Sequence, residues 1–110
     1  MIEPVEIVGQ EWDGFYSYDN QSFPMNFERL DISNGQFSAV GHDTVGDFTM
    51  NGQVIEGTFN IIKQYIGQHQ VNYNGQMDLR HRNSIEGNWI VQTDQYSFSD
   101  GFKLFLKNSQ

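Results

Sequence analysis

Ile85-Glu86-Gly87-Asn88-Trp89 closely matches Ile55-Glu56-Gly57-Thr58-Phe59, thirty residues earlier in the chain. In both stretches a glycine is followed two places on by an aromatic residue. The same spacing recurs in Gly14-Phe15-Tyr16, Gly35-Gln36-Phe37 and Gly46-Asp47-Phe48. A β-strand turns residues i and i+2 to one face, so each glycine stands beside a ring able to cover its bare backbone. Five such pairs in 110 residues predict a strongly bent antiparallel sheet.

Working outward from these pairs, period-2 alternation bounded by turn residues predicts eight strands. They run from Glu11 to Tyr18, Met25 to Ile32, Gln36 to Gly41, Gly46 to Asn51, Val54 to Tyr65, His69 to Gly75, Ser84 to Gln92 and Gly101 to Lys107. The separators are short and carry turn chemistry, as in Ser33-Asn34-Gly35, Asn51-Gly52 and Ser99-Asp100-Gly101. Such links make neighbours antiparallel, and eight hairpin-linked strands close most simply as an all-β up-and-down barrel, which leaves no free sheet edge. An open meander or a two-layer sandwich is the alternative. The chain reads as a single domain, residues 1–110, with residues 1–10 as an N-terminal extension.

Alternation also assigns the faces. Trp12, Gly14, Tyr16, Phe37, Ala39, Phe48, Met50, Ile55, Gly57, Phe59, Ile61, Val71, Tyr73, Ile85, Gly87, Trp89, Val91, Phe102, Leu104 and Leu106 share the inward phase. Polar residues such as Asp47, Thr49, Glu56, Asn72, Glu86 and Lys103 fill the opposite phase. Phe27 and Leu30 fall out of phase with each other, which predicts a bulge near Glu28 or Arg29. The number of inward rings predicts a filled core with at most a shallow mouth.

Eight antiparallel strands opening on Trp12-Asp13-Gly14-Phe15-Tyr16 resemble the avidin and lipocalin group of small barrels, the calycin type. The resemblance spans the chain as topology and implies the barrel fold and a ligand at its mouth. The order Trp-x-Gly reverses the lipocalin Gly-x-Trp, so no binding residue carries over.

Fourteen acidic against six basic side chains give a net charge of −8, which repels phosphate backbones and anionic lipid. Nucleic acid is not an expected partner, and Arg80-His81-Arg82 is too small a cluster to change that. Zero cysteines suit a reducing compartment. The opening Met1 to Val8 has neither an apolar signal region nor a basic presequence, and no apolar run reaches the roughly 20 residues that cross a bilayer. A cytoplasmic protein without membrane insertion is the expectation.

Up-and-down connectivity gathers Tyr18, Asp19, His42, Asp43, Lys63, Tyr65, His69, Asp94 and Asp100 at one rim. Lys63, Tyr65 and His69 share the inward phase there, and a buried ammonium needs a carboxylate, for which Asp43 is best placed. Two readings follow. Either Lys63, Tyr65, His69 and Asp43 hold a small polar or anionic ligand, or the lysine pair is a structural plug. His42, His69 and His81 lack metal-ligand spacing, and there is no nucleophile elbow or phosphate loop, so no metal, cofactor or catalytic activity is expected.

Phe15, Ile90 and Phe105 interrupt the polar outer phase on the first, seventh and eighth strands, and Ile62 does so elsewhere. They are candidates for a protein interface, unless Val5 and Ile7 of the extension lie across the same stripe. The primary functional expectation is a non-catalytic barrel acting as an interaction or structural subunit of a larger intracellular assembly. Its alternative is the small-ligand barrel with a site at the Lys63 rim.

Overall fold

A computed structural model describes residues 4–107. Eight strands, β1 Trp12–Tyr18, β2 Gln21–Ser33, β3 Gln36–His42, β4 Asp47–Ile55, β5 Thr58–Tyr65, β6 Gln70–Met77, β7 Ser84–Gln92 and β8 Ser97–Leu106, follow one another around a closed antiparallel barrel. The seam closes where β1 meets β8, from Trp12 opposite Leu106 to Tyr16 opposite Phe102. No helix of the described residues is long and apolar enough to cross a membrane.

The alternation predicted from sequence is the alternation of burial. Phe59, Ile61, Lys63 and Tyr65 of β5 point inward between exposed neighbours, as do Val71, Tyr73, Gly75 and Met77 of β6. In β2 the register shifts between Phe27 and Arg29, leaving Glu28 as the extra residue. That bulge lets Phe27 pack against the core while Leu30 is buried on the same side.

Several boundaries differ from the sequence reading. Asn51-Gly52 is not a turn: Gly52 stays in β4, opposite Phe37 and Ile61. The chain reverses instead at Glu56-Gly57, where φ is 51° and 83°, the paired positive values of a two-residue hairpin turn. Ile55 therefore sits at a hairpin end and is exposed, not in the core. Its near-copy around Gly87 stays fully extended within β7, so one motif serves two conformations, decided by what packs on it.

β2 and β8 also run further toward one end than expected, to Gln21 and Ser97. Pro24 lies beyond the last β2–β3 pair, Asn26 with His42, on a stretch where β2 has β1 alone as neighbour. A strand edge of that kind tolerates the missing N–H.

The N-terminal segment does not cover the outer stripe. It seals the opposite end of the barrel. Ile7 bridges to Ile32 by two backbone hydrogen bonds, and Val5 is buried in the core. The Glu6 carboxylate accepts hydrogen bonds from the Ser33 hydroxyl and the Asn34 N–H, both at 2.8 Å, which holds its pKa below the usual carboxylate value. Arg82 donates to the Pro4 carbonyl from the β6–β7 loop.

Gly75 and Gly87 face each other across β6 and β7. A Cβ on Gly87 would collide with the Asn74 carbonyl and reach the Gly75 Cα at 2.5 Å. The missing side chains let Phe102 lie close over Gly75. Gly87→Ala is expected to destabilise the fold by about 2 kcal/mol through this overpacking. At Gly101 the nearest contact for a new Cβ is an ordinary 3.6 Å, so Gly101→Ala should unfold in urea near the wild-type midpoint. Equal midpoints for the two variants would refute the close-packing assignment.

Candidate ligand site at the barrel mouth

Below a middle layer the interior is filled by Leu30, Ile32, Phe37, Met50, Phe59, Ile85 and Leu104, all essentially inaccessible. The middle layer holds a buried ion pair, Lys63 and Asp43, whose side chains are both 0% exposed. Asp43 leaves the end of β3 and folds inward, placing Oδ2 2.6 Å from Lys63 Nζ and 2.7 Å from the Tyr65 hydroxyl that donates to it. Its Oδ1 accepts from the backbone N–H groups of Val45 and Gly46.

The ammonium has three donors, and each has a partner. Besides Asp43 it donates to the Tyr73 hydroxyl at 3.3 Å and meets the Met25 Sδ at 3.4 Å. The rings of Phe48, Tyr65, Tyr16 and Tyr73 surround Nζ with centroids 4.4 to 5.4 Å away. Burial pushes the Lys63 ammonium down to about 8, against the opposing pull of Asp43. Burial holds the Tyr73 and Tyr65 phenols protonated well above their ordinary range, and for Tyr65 the hydrogen bond to Asp43 adds to it.

Above this layer the barrel opens. A cavity of about 400 Å3 is lined by Tyr16, Tyr18, Phe23, Thr44, Val45, Tyr65, His69, Val71, Tyr73, Trp89, Val91 and Phe98. The sealed end has the filled core expected from sequence, and the other end opens as a wide mouth over buried rings. The volume falls within the range of small-molecule pockets.

The walls of this cup combine the extended tips of two hairpins, β1–β2 and β7–β8, with the β3–β4 loop and the mouth-side ends of β5 and β6. Pairing between β1 and β8 stops at Tyr16 and Phe102. Beyond that point Trp89 Nε1 donates to the Ser17 carbonyl at 2.9 Å, and the Tyr18 ring meets Phe98 edge-on. Side chains close the seam where backbone pairing ends. Tyr16 stacks on Phe23 and meets Trp89 edge-on, so the aromatic wall is continuous.

Of the residues proposed from sequence as ligand contacts, the structure brings Lys63, Asp43 and Tyr65 into one cluster, but as the floor support of the cup. Lys63 does not line the cavity. His69 is exposed on the rim, its ring 5.1 Å from that of Tyr65, and no hydrogen-bonded acid or base accompanies it among the described residues. Tyr65 and His69 do line the cup.

Tyr18 was placed at this rim from sequence, whereas Phe23, Val45 and Phe98 were not anticipated as lining. The parity of Phe23 with Met25, and of Phe98 with Phe102, carried the signal, masked by Pro24 and by Asp100-Gly101.

The outer-wall candidates fall into two places. Phe15 and Phe105 touch, with ring centroids 6.5 Å apart. Ile90 lies opposite Asn72, which lies opposite Ile62, and both isoleucines line a shallow depression there. Ile90 and Phe105 are set well apart along β7 and β8: Phe105 faces Ser84 while Ile90 faces Ser99.

No family model, curated protein or solved structure matches the chain. What fold and site define is a class: an eight-stranded antiparallel up-and-down barrel, sealed at one end and open at the other, consistent with a calycin-like topology.

Lys63→Met leaves a buried carboxylate without its cation and is expected to cost about 3 to 5 kcal/mol. Lys63→Met/Asp43→Asn should recover most of that loss, a coupling measurable by a double-mutant cycle in urea. The pH dependence has a defined sign. Between pH 8 and 10 the unfolded chain keeps a Lys63 proton that the folded chain has released, so wild-type stability rises with pH, by about 2 kcal/mol. Above pH 10 Tyr65 and Tyr73 retain protons that the unfolded chain releases, and stability falls again. The double variant should lack the rise; a wild-type curve that falls steadily from pH 8 would contradict this assignment.

Proposed function

We propose that the protein is a non-catalytic binding barrel of the avidin and lipocalin kind, holding a small, largely apolar ligand in the aromatic cup at its open end. The observation that carries the reading is the lining of the mouth, rings and valines above a floor whose polar groups are already paired, which the depressions on the outer wall lack. An apolar cup of this size favours a flat or compact hydrophobic molecule.

A polar or anionic ligand held by Lys63 loses its support, because no donor of that ammonium is left to offer. The Tyr16 hydroxyl, without a hydrogen-bond partner among the described residues, supplies one polar contact from the cup wall. The lack of cysteine agrees with a cytoplasmic setting for this binding role.

A second reading, an interaction or structural subunit with a protein partner on the outer wall, draws on the Phe15–Phe105 pair and on Ile62, which is 46% exposed. The two readings separate in one experiment. The neutral fluorophore N-phenyl-1-naphthylamine should bind one equivalent, with Trp89 emission quenched in a Trp12→Phe background. Trp12 is a suitable residue to replace, since its buried Nε1 has no partner.

Val91→Trp fills the cup and should weaken binding at least about tenfold, whereas Ile62→Asp and Phe105→Asp should leave it unchanged. No binding to the wild type, or equal binding to Val91→Trp, would sink the cup reading.

A further inference from the structure

The charges around the cup are distributed with one sign. Asp19 follows β1, Asp47 opens β4, Asp94 sits in the β7–β8 loop and Asp100 lies in the mouth-side part of β8. Asp19, Asp47 and Asp94 are exposed. No lysine or arginine accompanies them at this end. Arg80 and Arg82 belong to the β6–β7 loop at the sealed end and Lys107 follows β8 there, while Arg29 and Lys103 lie on the outer wall near Asp31 and Glu86. The bases at the mouth are the imidazoles of His42 and His69.

Lys63 is the only ammonium near the cup among the described residues, and Asp43 neutralises it at 2.6 Å beneath the floor. The field felt by a ligand at the mouth is therefore that of the rim carboxylates, concentrated by low-dielectric walls. The rings add to it in the same direction. Aromatic faces attract cations, and while Tyr16, Tyr65 and Tyr73 already face Lys63, Tyr18, Trp89 and Phe98 nearer the rim do not.

We infer that the cup selects organic cations: molecules with a compact apolar or aromatic body that enters first and an ammonium group left at the rim, against Trp89 and Tyr18 and within the field of Asp19, Asp47 and Asp94. This rests on the ligand-cup reading and specifies its ligand class. An anionic amphiphile of the same shape lies in the field of the rim carboxylates and finds no free cation, and is rejected.

The test uses the full chain and three probes of similar shape in calorimetric or NMR titrations at low ionic strength: benzyltrimethylammonium, its neutral isostere neopentylbenzene, and phenylacetate. The cation is expected to bind about tenfold or more tighter than phenylacetate and several-fold tighter than the neutral probe. Physiological salt should shrink the first ratio. Asp19→Asn/Asp47→Asn/Asp94→Asn should reduce it while leaving neopentylbenzene binding unchanged, which also reports that the cup is intact.

Neopentylbenzene binding as tightly as the cation, or phenylacetate binding as tightly as either, would overturn the charge selectivity and leave the cup reading standing. A preference unaltered in the triple variant would overturn the role of the rim. Failure of all three probes to bind would remove the cup reading, and this inference with it.

Discussion

The contact between Lys63 Nζ and Asp43 Oδ2 divides the barrel into two compartments. An ammonium buried at mid-height is unfavourable unless its charge and all its donors are met. Asp43, Tyr73 and Met25 meet them, and four rings enclose the remainder. Meeting them fixes the β3–β4 loop inward and draws the Tyr65 and Tyr73 hydroxyls down to the same layer. The rings of Tyr16, Tyr65 and Tyr73 then form a floor with the ion pair below and open space above. A leucine in place of Lys63 would remove the reason for those phenols to converge, and the cup would lose its base.

Closure of the barrel depends on a different constraint, the close approach of β6 and β7 at Gly75 and Gly87. Only half of this was legible from the sequence: Gly87, like Gly14, has a ring two places on and lies in a strand, whereas Gly75 is followed by Gln76-Met77, and Gly35, Gly46 and Gly57, though followed by rings, sit in turns or loops at positive φ. The bulge after Phe27, the Lys63–Asp43 pairing and the inward phase of Tyr65 were legible, since each followed from parity and from the demand that a buried charge be matched.

Other features depended on what parity cannot supply. The near-copies around Gly57 and Gly87 read alike, yet Gly57 lies in the turn that Ile55 and Thr58 close, while Gly87 is held extended between Gly75 and Phe102 of its two neighbouring strands. Pro24 and Asp100-Gly101 read as boundaries, while in the fold they belong to hairpin tips that extend past their neighbours and form the cup wall. The inward rings named from sequence are buried, as a filled core requires, and the extent of the mouth above them was not legible. Whether rings fill a space or line it depends on how far the strands run beyond the last packed layer, and that length was set by the misread boundaries. The seal by Val5 and Glu6 was likewise hidden, because a short extended segment has no periodicity to read.

The central claim is that an open, apolar cup stands above a satisfied ion pair and that ligands lodge there. Intermolecular nuclear Overhauser effects from a bound neutral aromatic probe test it most directly. The account predicts contacts to the methyl groups of Val71 and Val91 and to the Trp89 indole, with none to Ile62, Ile90 or Phe105. Contacts confined to those outer residues, or a bound probe silent to Val71, Val91 and Trp89, would contradict it.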